Sequence, residues 1–118
     1  MQATAVRWAP EAMRLAELQP KFLVIERSNM QRREVDELTS AHGILFMCPR
    51  CLGRPSERRH SVVCWFAQRG VPDAEMPTWD RWLASGSGYD DLTIDGVISV
   101  RGGCCWSGRI RAGRIVAP

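Results

Sequence analysis

Two cysteines at CxxC spacing, Cys48-Pro49-Arg50-Cys51, follow directly on the apolar run Ile44-Leu45-Phe46-Met47. Two thiolates so placed, on a turn leaving a strand, can grip one tetrahedral ion. A redox pair of the thioredoxin kind would instead open a helix, and Leu52-Gly53-Arg54-Pro55 breaks any helix there. The chain holds further soft donors in His60, Cys64 and the adjacent Cys104-Cys105. Arg7, Glu11, Arg14 and Glu17 interrupt every apolar stretch near the start, so no signal peptide is predicted and the thiols are expected in a reducing, cytoplasmic setting. An odd number of cysteines, 5, then favours a metal over disulfides.

A chain of 118 residues with 45% hydrophobic and 25% charged content suits one soluble domain, 1–118, with an N-terminal part over 1–42 and a metal-binding β part over 43–118. The longest apolar runs fall well short of the ~18 residues of a membrane span, so no membrane partner is expected. The net charge of +3 says little about partners, and its distribution says more. Arg50, Arg54, Arg58 and Arg59 flank the CxxC, while Arg101, Arg109, Arg111 and Arg114 crowd the end. If both groups met around one metal they would form a basic patch able to contact phosphates, with Arg50, Arg54, Arg58, Arg59, Arg109 and Arg111 as the nucleic-acid contacts.

Residues 10–18 read as a short helix, begun by Pro10 and stopped by Pro20. Lys21 to Arg27 reads as a strand whose continuous run Phe22-Leu23-Val24-Ile25 suggests burial on both faces. Gln31 to Ala41 resembles a surface helix with Val35 and Leu38 one turn apart, ended by His42-Gly43. Beyond Gly43 the chain turns to β: strands at Ile44 to Met47 and Ser61 to Phe66, a helical turn carrying Trp79 and Trp82, and a glycine loop at Ser85 to Gly88 tied down by Asp91. Two hairpins are predicted, one about Asp95-Gly96 and one about Ala112-Gly113. The expected class is therefore α+β, short N-terminal helices and a strand followed by a small zinc-stapled antiparallel β domain resembling a zinc ribbon.

Two donor quartets compete. The local one, Cys48, Cys51, His60 and Cys64, requires His60 and Cys64 to share an ion, which four residues of helix permit and ~13 Å of strand does not. Since Ser61-Val62-Val63-Cys64-Trp65-Phe66 reads as a strand, Cys64 is assigned to the core. The preferred structural zinc ligands are Cys48, Cys51, His60 and Cys104, with Cys105 and Cys64 as alternates.

The ordered set Leu45-Phe46-Met47-Cys48-Pro49-Arg50-Cys51, His60-Ser61-Val62-Val63-Cys64-Trp65-Phe66, Ser85-Gly86-Ser87-Gly88 with Asp91-Leu92-Thr93, and Gly103-Cys104 with Trp106-Ser107-Gly108 and Ile110 resembles a family of small uncharacterised proteins of tailed bacteriophages and prophages. The resemblance spans residues 43–116. It implies a phage origin, location in the bacterial cytoplasm or the virion, and a site similar to zinc ribbons, pairing an early CxxC with a late Cys-x-x-His. Ser107 stands where that pattern places the histidine. The leading expectation is a zinc-binding structural or interaction protein, a virion component or accessory, that engages a virion or host protein. A nucleic-acid-binding zinc ribbon is the alternative, and a zinc-dependent hydrolase using Asp90 or Asp91 is the second alternative.

Overall fold

A computed structural model of the chain describes residues 13–26, 28–52, 55, 59–67, 81–100 and 106–118. Eight strands form one mixed sheet: β1 Lys21–Ile25, β2 Arg32–Val35, β3 Gly43–Met47, β4 Ser61–Phe66, β5 Arg81–Ser85, β6 Thr93–Ser99, β7 Ser107–Arg111 and β8 Arg114–Val116. Their spatial order is β2-β1-β3-β4-β5-β6-β7-β8. Every neighbouring pair is antiparallel except β4 and β5, which run parallel through Trp65 opposite Arg81 and Phe66 opposite Trp82.

The α+β expectation is overturned. Among the described residues helical geometry is confined to three 3-10 turns at Leu15–Leu18, Leu38–Ser40 and Pro49–Cys51, so the fold is mostly β. The segment read as a surface helix from Gln31 is instead edge strand β2, followed by a single turn. Its charged residues are those of a blunted sheet edge: Arg32, Arg33 and Glu34 are exposed, while the backbone bonds to β1 on one side only. The predicted helix over 10–18 shrinks, within the described residues, to the turn at Leu15–Leu18, whose Leu15 and Leu18 are fully buried. Trp82 lies on β5, not on a helical turn, and Trp79 falls outside the described residues.

Where the expected strands rest on continuous β-branched and aromatic runs, the structure agrees. β1 is buried on both faces through Phe22 and Leu23, and β3 and β4 fall where Ile44 to Met47 and Ser61 to Phe66 place them. The hairpin about Ala112-Gly113 forms, both turn residues having positive φ, 48° and 77°. The one about Asp95-Gly96 does not: both residues lie inside β6, where the register against β7 shifts between Ile94 and Ile98. The extra residues are absorbed as a bulge, with Asp95 still paired to Leu83 of β5 on the other side.

The sheet curls on itself. Leu15 N–H donates to the Gly113 carbonyl at 2.8 Å and Ile115 N–H to that of Met13 at 3.2 Å, so the segment leading into β1 pairs with β8 around Arg14 and Arg114. Phe22 stacks on Tyr89 at 4.4 Å, and its N–H donates to the Tyr89 hydroxyl at 3.1 Å. Inside lies the main core, including Leu15, Leu18, Phe22, Ile44, Phe46, Phe66, Ile94, Ile98, Ile110 and Ile115. A smaller cluster of Leu23, Ile25 and Trp65 occupies the outer face of β1, β3 and β4. Gly43 permits it, since a Cβ there would stand 2.5 Å from the Trp65 ring.

Candidate metal centre

Strand alternation on β3 sends Ile44 and Phe46 inward, and Cys48, the next residue in that phase, continues the inward face as the strand ends. Its N–H donates to the His60 carbonyl at 3.0 Å, extending the β3–β4 register by one step beyond Met47 and Ser61. His60 therefore stands directly across from Cys48, on the same face. Pro49 then starts a 3-10 turn closed by Cys51 N–H donating to the Cys48 carbonyl at 3.1 Å, which folds the second thiol back toward the first. Cys48 and Cys51 are buried, and His60 is half-buried.

The Cys48 and Cys51 sulfurs and an imidazole nitrogen of His60 lie within 4.8 Å of one another. Tetrahedral zinc, with metal–ligand distances of about 2.0 to 2.3 Å, holds its ligand atoms about 3.3 to 3.8 Å apart. Side-chain adjustments of less than a bond length bring the three donors to that spacing, and a metal ion fits among them. The cluster arises from a turn and one cross-strand pair, both local to β3 and β4.

Cys64 is not among these donors. It sits two steps along the same face of β4, opposite Ile44 and fully buried in the main core. Burial pushes its thiol far above the ordinary range, so it stays protonated and packs as a small apolar group. Cys104 and Cys105 lie outside the described residues, as do Arg54 and Arg58. Ser107 opens β7 in the phase opposite to buried Trp106 and Gly108, and its hydroxyl is within 2.9 Å of that of Ser99 on the outer face. It therefore points away from the interior face that holds the thiols.

The expected union of the two arginine groups around the metal is not formed by the described residues. Arg50 and Arg59 are exposed beside the donors. Arg109 and Arg111 are on β7, in phase with Ser107 on the outer face, and the register followed from β4 through β5 and β6 carries them to the far end of the sheet. The carboxylates considered for catalysis are also engaged elsewhere. Asp91 accepts from the Ser87 and Gly88 N–H groups at 2.9 and 2.8 Å and from the Ser87 hydroxyl at 2.8 Å, bonds that hold its carboxyl below the usual range. Asp90 pairs with Arg14 at 3.4 Å.

Sequence reading did not foresee the settings of two side chains. His42, read as a helix end, accepts the Ile25 N–H on Nδ1 at 2.9 Å. Trp106 is buried edge-on to Phe46 at 6.2 Å, and its indole N–H has no hydrogen-bond partner among the described residues. Neither carries a local signal, because each partner is more than fifteen residues away.

Fold and site together define a small curled β-sheet protein with a Cys-Cys-His donor group at one end. No protein-family model, curated protein or solved structure matches the chain. Among the described residues no helix is long and apolar enough to cross a membrane.

Proposed function

We infer that the chain is a non-enzymatic module whose curled sheet is stapled by a structural zinc and which acts by presenting its surface to another protein. The observation that carries this reading is the convergence of Cys48, Cys51 and His60 within 4.8 Å. Two sulfurs and an imidazole suit zinc better than the hard, oxygen-seeking cations. Both thiols are buried and no carboxylate joins the group among the described residues, which favours a structural role over a hydrolytic one.

Cys104 is the proposed fourth ligand. Its flanking residues support this: Val100 N–H donates to the Trp106 carbonyl at 2.8 Å, and Trp106 packs on Phe46, two residues before Cys48. The two residues that flank the connection carrying Cys104 are thus bonded to each other, and one of them packs against β3 two residues before Cys48. The Trp106 indole N–H, buried and without a partner among the described residues, is also suited to a metal-bound thiolate. In the phage setting that the sequence resemblance implies, the protein would serve in or beside the virion, with a virion or host protein as partner.

Elemental analysis of the purified protein, with thermal melts before and after chelation, tests the reading. About one zinc per chain and a melting temperature lowered by chelator are expected. Metal-free protein with a chelator-insensitive melt would overturn it.

A further inference from the structure

Cys48 and Cys51 are placed to bond to each other as well as to a metal. They stand one 3-10 turn apart, closed by Cys51 N–H donating to the Cys48 carbonyl at 3.1 Å, and such a turn advances the chain by about 6 Å. A disulfide needs a Cα separation of about 4.4 to 6.8 Å. The two sulfurs lie within 4.8 Å of each other, so rotation of the two side chains joins them without any change of strand register. No other described cysteine competes. Cys64 lies opposite Ile44 in the apolar core, about 13 Å of strand from His60, and burial keeps it protonated, so it offers no thiolate.

The two cross-links hold different parts of the fold. A metal on Cys48, Cys51 and His60 ties the end of β3 to the residue that precedes β4. A Cys48–Cys51 disulfide closes only a four-residue loop, inside a turn that its own hydrogen bond already constrains. Stabilisation by a cross-link falls with the length of the loop it closes, and this one gives nothing to β4. Access then selects the oxidant. Cys48 and Cys51 are 0% and 1% exposed, so a bulky disulfide cannot reach either sulfur, whereas a molecule near the size of water can enter past half-buried His60.

We propose that Cys48 and Cys51 form a peroxide-sensitive switch on the metal staple, in which a small hydroperoxide converts the two thiolates to one disulfide, the ion leaves and the tie between β3 and β4 is released. One thiolate attacks a peroxide oxygen, breaking the O–O bond to give a sulfenic acid and hydroxide. The other thiolate attacks that sulfur and displaces a second hydroxide. Two electrons pass from the thiolates to one hydrogen peroxide, and zinc departs as the divalent ion. A thiol reductant restores the donors. The inference rests on the reading of these donors as a structural zinc site and names how that site is regulated.

The test treats the full zinc-loaded chain with hydrogen peroxide in the presence of a chromophoric chelator. Release of about one zinc per chain is expected, with loss of both thiols, a peptide map joining Cys48 to Cys51, and recovery of zinc binding after dithiothreitol. Cys64→Ala should release zinc at the same rate, and oxidised glutathione at equal concentration should act at least about tenfold more slowly. Retention of zinc under peroxide, oxidation to sulfinic or sulfonic acid in place of the disulfide, a bridge from either thiol to another cysteine, or equal reactivity with oxidised glutathione would overturn it. Zinc content measured before the oxidant is added separates the two readings. A chain that carries zinc and keeps it loses the switch alone, whereas a chain without zinc loses the structural site on which the switch rests.

Discussion

Cys48 and Cys64 are both fully buried thiols on the inner face of the sheet, yet their settings differ in the one respect that matters for a metal. Cys48 ends its strand opposite His60, with Cys51 folded back beside it, while Cys64 has Ile44 opposite and aliphatic and aromatic neighbours. If the proposed structural zinc is bound, Cys48→Ser is expected to abolish its binding and lower the melting temperature by more than about 10 °C, because a structural metal contributes directly to folding. Cys64→Ala should keep the zinc and cost about 1 to 2 kcal/mol in a denaturant melt, the loss of a small buried group. Retention of metal by the first variant, or its loss by the second, would exchange the two roles. Asp91 gives a pH prediction of known sign. Its carboxylate is favoured in the folded state by the Ser87 and Gly88 amides, so its contribution is present above the unfolded value of about 3.9 and is lost as pH falls through the lower folded value. The carboxyl resonance and the Ser87 and Gly88 amide resonances should titrate together, with a midpoint below the usual carboxylate range; a midpoint at or above that range would contradict the loop bonding.

At the level of elements, the β7–β8 hairpin turns on Ala112 and Gly113, both in the left-handed region. Gly113 is needed there, since a Cβ would fall 2.3 Å from the Asp90 carbonyl oxygen. Ala112 is the misfit, a residue with a Cβ and no local hydrogen bond to offer at φ 48°. Ala112→Asn, completing the Asn-Gly pair that such turns favour, should raise stability by about 0.5 to 1 kcal/mol with the fold unchanged, as read by denaturant melts. Ser107 belongs to the same hairpin. Because it faces Ser99 on the outer side, Ser107→His is expected to leave zinc affinity unchanged in a competition titration with a chromophoric chelator. A tenfold or larger gain (about 1.4 kcal/mol) would mean that the β7 start can turn its side chain inward to the metal.

The closure between Arg14 and Arg114 makes one molecule of eight strands. It places Leu15 and Leu18 inside the curl, where both are completely buried. Leu15→Ala should therefore cost about 3 kcal/mol, a penalty of core size, and speed hydrogen exchange in β8 as well as β1; an effect below about 1 kcal/mol would show that the closing segment is peripheral. The parts of this architecture legible in the sequence were those with local causes. β1, β3 and β4 announce themselves by unbroken apolar or β-branched runs, the second hairpin by Ala112-Gly113, and the CxxC by its position after a strand. Asp91 could be assigned to the glycine loop because its partners are three and four residues away. What was not legible depended on distant partners. β2 looks helical until β1 supplies its hydrogen bonds, and Asp95-Gly96 looks like a turn until Asp95 pairs with Leu83 of β5 and β7 accommodates the following residues as a bulge. Arg50 and Arg59, expected to meet Arg109 and Arg111, lie at the other end of the sheet from them, while Arg14, almost a chain length from Arg114, stands beside it. Donor chemistry is a property of residue type and short spacing, so the sequence alone determined the metal-binding potential of Cys48, Cys51 and His60. Which charges face each other, and which surface a partner would meet, depends on strand register and on the curl of the sheet, and these only the tertiary structure decided.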